Sequence, residues 1–327
     1  MNKKISLLLY PLFLSLLLTS CFRNNTDNAN LQKQQDQEYS FIKSKDRVNF
    51  NISSIDELYD FLTYDEHTVP LISAHRGGDM PDYPENAIET FSYWAEKFPL
   101  IIECDVQITK DSQLILMHDK TLNRTSNGSG RIKDKTLAEI KELRLKDQND
   151  KITTFQIPTL KEALLWGKGK VIFTLDVKQD VPYALLSQII KETEAESHVV
   201  LITYNSKQAY AAYRTNPDLM LSVSINSNKD LLDLTHSGIP DNRLVAFVGT
   251  SQPKTDLVNI LHSHGIKIIL GTMGNLDRQA KSRGYQVYAQ FIENGADILS
   301  TDNPKDSQKA LDYYIQKRKL SSPYINF

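Results

Sequence analysis

The chain has 327 residues, 40% hydrophobic and 9% aromatic, enough to bury a large core in a single domain of about 250 residues. Its 38 basic and 40 acidic residues leave a formal charge of -2, which excludes a global field drawing it to nucleic acid or to an anionic membrane, so any phosphate binding must be local. Only two cysteines, Cys21 and Cys104, are present, and stability must come from packing rather than from a disulfide framework.

Residues 1–20 read as an export signal, because Lys3 and Lys4 precede an apolar run, Ile5 to Leu18, too short to span a bilayer comfortably. The run ends in Leu18-Thr19-Ser20-Cys21, which resembles the bacterial lipobox. That resemblance implies cleavage before Cys21, lipidation of Cys21, and a membrane-anchored protein facing the periplasm or the cell surface. The competing reading is an ordinary cysteine behind a cleaved signal. Residues 21–51 are rich in Asn, Gln, Asp and Lys, the composition of a flexible polar tether. The folded domain is expected over 52–327. It opens on a helix from Ser54 to Tyr64, where Ser54 and Glu57 have capping-box spacing.

Short apolar runs then alternate with amphipathic stretches. The runs are Leu71 to Ala74, Leu100 to Val106, Leu114 to Met117, Val171 to Val177, Val199 to Tyr204, Met220 to Ile225, Leu244 to Val248, Ile266 to Gly271 and Asp297 to Thr301. Only Gln107 to Gln113 separate the second and third runs, too few residues for a parallel crossover, so these two form a hairpin. Setting aside the hairpin's return arm leaves eight strands, separated by helix-length segments such as Ala184 to Glu194, Thr255 to His264 and Gln279 to Asn294. This pattern predicts a (β/α)8 TIM barrel with its active site at the C-terminal ends of the strands. An excursion over the top face is expected from Thr109 to about Lys170. A doubly wound open sheet is the alternative, and the lack of a Gly-rich phosphate loop after the first strand counts against it.

The strand ends concentrate ionisable groups. His75 and Arg76 follow the first strand, Glu103 and Asp105 lie on the second, His118 and Asp119 follow the return arm, and Asp176 and Lys178 end the next. Glu103 and Asp105 stand two apart and so share one face, with Cys104 on the other. Two carboxylates crowded on a barrel's inner wall require a cation or protons. With Asp176 they form an oxygen-only set suited to Ca²⁺ or Mg²⁺ rather than zinc. The competing reading pairs Glu103 and Asp176 with Lys178 and Arg76 in a buried ion network. His75 and His118 are the natural proton-transfer pair. The other five histidines, His67, His198, His236, His262 and His264, read as structural or solvent-facing.

His75-Arg76-Gly77, Pro84-Glu85-Asn86, Glu103-x-Asp105-Val106, Thr109-Lys110-Asp111, His118-Asp119 and Ile157-Pro158-Thr159-Leu160 resemble, in order and spacing, the glycerophosphodiester phosphodiesterases; Leu122-Asn123-Arg124-Thr125 and, more loosely, Ser300-Thr301-Asp302-Asn303-Pro304 also resemble theirs. The resemblance implies a phospholipase-C-like barrel that hydrolyses a glycerophosphodiester, its small-molecule substrate, to glycerol 3-phosphate and an alcohol. It implies Glu103, Asp105 and Asp176 as ligands of a divalent metal, Arg76 and Lys178 on the phosphate, and His75 and His118 as base and acid. Glu85, Asn86 and Asp119 are secondary candidates, and the competing reading of Glu85 and Asn86 is that they cap the helix beginning near Ala87.

Three departures stand out. Asp176 takes the place of a usual Glu, Ala87 that of a common Thr, and Gly271-Thr272-Met273-Gly274-Asn275 that of a Trp-containing stretch, which leaves headgroup preference open. The competing functions are a related barrel acting on intact phospholipid or wall polymer, and a lipoprotein that binds phosphodiesters without turnover. The mostly polar excursion from Asn123 to Lys151 counts against bilayer insertion, and the complete set of acid, base, metal and phosphate groups counts against a pure binder.

Overall fold

The computed structural model describes residues 49–327. The export signal, Cys21 and the tether up to residue 48 lie outside the described residues. All nine predicted runs form strands: β1 Leu71–Ala74, β2 Ile101–Ile108, β3 Leu114–Leu116, β4 Ile172–Val177, β5 Val199–Thr203, β6 Met220–Ser224, β7 Leu244–Phe247, β8 Ile268–Gly271 and β9 Ile298–Thr301. β3 runs antiparallel to β2, with Val106 opposite Leu116, and is the return arm of the expected hairpin. The other eight are parallel, and β1 pairs with both β9 and β2, which closes the (β/α)8 TIM barrel.

Register explains which side chains face inward. Asp105 lies opposite Asp176, Asp176 opposite Ile202, Ile202 opposite Ser222, and Ser222 opposite Val245. Alternate residues on each strand share a face, so Glu103 joins this inner row while Ile102, Cys104 and Val106 turn outward. All three of the latter are fully buried in the layer between sheet and helices. Aromatic residues fill that layer, with Phe91 and Phe173 meeting edge to face at 6.1 Å, a preferred ring geometry.

Helix α1, Ile55–Leu62, begins as expected: Ser54 Oγ accepts from the Glu57 amide and the Glu57 carboxylate accepts from the Ser54 amide. Its end is joined to the turn entering β8, where the Tyr64 amide donates to the Gly265 carbonyl at 2.7 Å and Lys267 Nζ donates to the Phe61 carbonyl at 2.6 Å. α1 therefore covers the N-terminal rim of the barrel, the pole opposite the strand ends that carry the ionisable groups.

The structure corrects three boundaries. Asn49 and Phe50, assigned to the tether, are buried, and Asn49 Nδ2 donates to the carbonyls of Ala95 and Lys170 at 2.7 and 3.0 Å. The excursion ends near Thr159 rather than Lys170, because Thr159 and Glu162 form a capping box that starts a barrel helix, α3, Leu160–Gly167 (α2 is Ile88–Ala95). The excursion also has its own small core of Ile115, Met117, Leu122, Ile132, Ile140, Leu145 and Ile157. Finally, the helix expected from Gln279 to Asn294 is broken into Asn275–Arg283 and Val287–Glu293. Gly284, at φ 100°, sits at the break in a conformation that few other residues adopt.

Candidate active site

Immediately after β1 the chain turns sharply at Arg76, Gly77 and Gly78, with φ of 50°, 88° and 73°. Glycine is required at the second of these, since a Cβ on Gly77 would sit 2.3 Å from Phe91 Cε1. The turn points the Arg76 amide inward, where it donates to Glu103 Oε2 at 2.7 Å. Arg76 Nε is buried and makes no hydrogen bond, its ion-pair contact with Asp105 Oδ2 standing at 3.8 Å, which leaves the N–H for a ligand oxygen.

Glu103, Asp105 and Asp176 each present an oxygen within 4.8 Å of the others, and all three are buried. Each carboxylate is held by a different neighbour. Asn86 clamps Asp105, donating from Nδ2 to Oδ2 at 2.8 Å while its Oδ1 accepts from the Asp105 amide at 2.9 Å. Tyr204 Oη donates to Asp176 Oδ1 at 2.8 Å. Lys178 Nζ bridges Asp105 Oδ1 and Asp176 Oδ2 at 2.6 Å each. Burial alone would lower the Lys178 pKa, but these two carboxylates outweigh it and raise it.

The ion-network reading therefore accounts for Asp105 and Asp176 but not for Glu103, which forms no ion pair with Lys or Arg among the described residues. Burial, reinforced by the charge of Asp105, pushes the Glu103 carboxyl up to about 8. Three converging hard-oxygen donors, one of them without a Lys or Arg partner, fit a divalent cation of the Ca²⁺ or Mg²⁺ type.

Both predicted histidines stand at the rim, and both are held the same way. His75 Nδ1 lies 2.7 Å from Asp302 Oδ1, and His118 Nδ1 lies 2.8 Å from Asp119 Oδ1. A carboxylate on Nδ1 fixes the ring and leaves Nε2 for proton transfer. Burial alone would lower the His75 pKa, but the Asp302 hydrogen bond and the charge of Glu103 more than reverse this, and the net shift is upward.

Gln107 Nε2 fastens the His118 arm to β2 through the carbonyls of His118 and Asp119, at 3.2 and 3.1 Å. Arg124 then links that arm to the Arg76 side of the site. Its Nε donates to Asp119 Oδ2, and Nη1 and Nη2 grip both oxygens of Glu85, all at 2.8 Å. Glu85 in turn contacts Arg76 Nη1 at 3.2 Å. Burial alone would raise the Glu85 pKa, but Arg124 and Arg76 hold it below the usual range. The helix-cap reading of Glu85 and Asn86 fails, because the N-cap of α2 is Ala87 and receives no side-chain bond.

Every sequence-predicted site residue among the described residues thus lies at one pole of the barrel. Three contributors were missed as site residues: Asp302, Arg124 and Tyr204. For Tyr204 and Asp302 a signal was present, since each stands two residues beyond an inward-facing strand residue, Ile202 and Ser300. Of the five histidines set aside, His262 bonds Asp297 and His264 bonds Asp241, while His198 lies beside the Leu164 carbonyl. At the departure near β8, Met273 Sδ, Thr250 Cγ2 and Phe247 Cζ crowd the point where a Cβ on Gly271 would lie, at 2.9 to 3.1 Å. The atoms that meet there are apolar.

Known proteins resemble this chain at the level of family model, sequence and structure. Residues 75–306 match the model of the glycerophosphoryl diester phosphodiesterase family. A glycerophosphodiester phosphodiesterase of Caldanaerobacter subterraneus subsp. tengcongensis is 34% identical over 242 residues, 72% of this chain and 95% of that relative. The crystal structure of a glycerophosphoryl diester phosphodiesterase from Parabacteroides distasonis superposes with a TM-score of 0.77 at 36% identity, covering 81% of this chain and 94% of that one. An Oleispira antarctica phosphodiesterase, solved with the product sn-glycerol-3-phosphate, shares the fold at TM-score 0.62 and 21% identity, over 78% of this chain and 99% of that one.

Proposed function

The chain belongs to the glycerophosphoryl diester phosphodiesterase family, and from that premise we propose that it hydrolyses glycerophosphodiesters to glycerol 3-phosphate and an alcohol by acid-base catalysis at His75 and His118. The observation that carries this reading is the matched support of the two rings, each bonded through Nδ1 to a carboxylate at one rim. One Nε2 takes the proton of the attacking hydroxyl, a neighbouring hydroxyl of the glycerol, and the other gives a proton to the leaving alcohol oxygen; water then opens the resulting cyclic phosphodiester, with the two rings exchanging roles, to give glycerol 3-phosphate. Such transfer contributes about 10²- to 10⁴-fold.

Arg76, through an Nε that makes no hydrogen bond, and Lys178 hold the phosphate's non-bridging oxygens. Glu103, Asp105 and Asp176 would hold a divalent cation, Ca²⁺ or Mg²⁺, which when bound supplies charge neutralisation at those oxygens. Asn86 and Tyr204 orient the carboxylates, and Arg124 with Glu85 ties the His118 arm to Arg76, so that acid, base and phosphate grip keep one geometry.

The test is release of glycerol 3-phosphate from glycerophosphocholine, glycerophosphoethanolamine and glycerophosphoglycerol, with Ca²⁺, Mg²⁺ or chelator, beside His75→Ala and Glu103→Ala. Cation-dependent turnover that both variants lose supports the reading and ranks the headgroups. Folded, cation-loaded protein that turns over none of the three sinks it and directs attention to intact phospholipid and wall polymer.

We also propose that Cys21 carries a lipid anchor and holds the protein on a membrane facing the periplasm or cell surface, on the strength of the Leu18-Thr19-Ser20-Cys21 pattern. Incorporation of labelled fatty acid that persists in Cys21→Ser would refute it.

A further inference from the structure

We infer that Asp277, which nothing in the sequence marked, is a positioning residue for the Asp302–His75 pair; the inference rests on the acid-base role proposed for His75. Asp302 stands just past the end of β9 with its side chain 47% exposed. A carboxylate so open to solvent keeps its aim only if the backbone beneath it is fixed.

Asp277 supplies that fixation. Its Oδ2 accepts the Asp302 backbone amide at 2.9 Å, and its Oδ1 accepts Thr301 Oγ1 at 3.0 Å. Thr301 Oγ1 accepts in turn from the Asn303 amide at 2.9 Å. One carboxylate thus grips the turn on both sides of the peptide that presents Asp302 to His75. Asp277 is itself anchored, its amide donating to the Thr272 carbonyl at 2.8 Å, while the Thr272 amide donates to the Ser300 carbonyl at 2.6 Å. The loop leaving β8 is stitched to β9 through both its backbone and its first helical turn.

A remaining bond separates this arrangement from ordinary helix capping. Asp277 lies in the first turn of the helix Asn275–Arg283, where an acidic residue often serves only the helix's own amides and dipole. None of its three donors belongs to that helix. The third is Tyr288 Oη at 2.9 Å, from a fully buried tyrosine.

Tyr288 follows Asp277 by 11 residues, and on an unbroken helix the two would stand about 16 Å apart along the axis, beyond the reach of their side chains. The break at Gly284, φ 100°, folds the second helical piece back and delivers the phenol to the carboxylate. The interruption of this helix is thus part of the support of the catalytic rim.

The experiment compares wild type, Asp277→Asn, Asp302→Asn, the double variant and Tyr288→Phe, measuring kcat and KM on glycerophosphocholine with cation present, and the melting temperature of each. Asp277→Asn should lower kcat about tenfold, the scale of a small misalignment, with KM changed by less than about twofold. In the Asp302→Asn background the same change should add less than about twofold, because the pathway it serves is already cut. Tyr288→Phe should lower kcat in the same direction by a smaller factor, and it keeps the test open if Asp277→Asn fails to fold.

Wild-type kcat in Asp277→Asn overturns the inference, as does an equal loss in both backgrounds, or wild-type kcat in Tyr288→Phe should Asp277→Asn not fold. His75→Ala assayed alongside separates the two levels. Full activity in His75→Ala defeats the acid-base reading itself, whereas an inactive His75→Ala beside an unimpaired Asp277→Asn defeats only this inference.

Discussion

Loading the carboxylate cluster with a divalent cation should expel a proton from Glu103. Without the cation, burial and Asp105 raise that carboxyl from 4.5 to about 8, so near neutral pH it is largely protonated, and a carboxylate must shed the proton to become a ligand. Calorimetric titration of Ca²⁺ or Mg²⁺ at pH 7, in buffers of different ionisation heat, should report net proton release on cation binding. The apparent Kd should tighten about tenfold between pH 6 and pH 7 and level off above about pH 8.

The same shift sets the pH dependence of folding in the cation-free protein. An unfolded Glu titrates near 4.5 and the native group near 8, so between those values the native state binds the extra proton. The stabilisation is complete below the lower value and is lost as pH rises through the higher one. At 1.36 kcal/mol per pH unit the loss is on the order of 5 kcal/mol, and cation binding offsets it increasingly as pH rises. Glu103→Gln should release no proton, bind the cation more weakly, and lose this component of the pH dependence. A Kd that is flat from pH 6 to pH 8, or wild type releasing no proton, refutes the account of Glu103 as the uncompensated member of the trio.

His118→Ala should lose about 10²- to 10⁴-fold in kcat while calorimetry shows cation affinity unchanged. Asp302→Asn should lower kcat and move the His75-controlled limb of the pH–kcat/KM profile to lower pH, because the Asp302 hydrogen bond is among the causes that raise the His75 pKa; an unmoved limb contradicts the pairing. Gly77→Ala, facing both a φ of 88° and Phe91 Cε1 at 2.3 Å, should lose about 1–3 kcal/mol of stability in denaturant titration and most of its turnover. Arg124→Ala should depress kcat while costing no more than about 1 kcal/mol, since its side chain is 47% exposed and water screens its ion pairs. A much larger stability loss would make Arg124 a folding residue instead.

The barrel was legible because its strands are short apolar runs at crossover spacing, and because the seven residues from Gln107 to Gln113 admit only a hairpin. The metal-type cluster was legible for a local reason: Glu103 and Asp105 share one strand and one face. Arg124 was not, and Asp302 only by its place two residues beyond inward-facing Ser300, because what brings both to the candidate site is spatial. Asp302 meets His75 across 227 residues through the β1–β9 pairing that closes the barrel, and Arg124 reaches Glu85 across 39. The over-long helix from Gln279 to Asn294 came from reading amphipathic spacing through Gly284, where chain entropy and positive φ favour a break. The late boundary set for the excursion came from passing over the capping box at Thr159 and Glu162, the same signal that correctly placed α1.

Asn49 enters the fold beside the Lys170 and Ala95 carbonyls, at the base of the barrel, whereas His75, His118 and the carboxylates crown the opposite end. Residue 49 therefore lies at the foot of the domain. A support that grips the domain there leaves the opposite pole, with both histidines, open to what diffuses past.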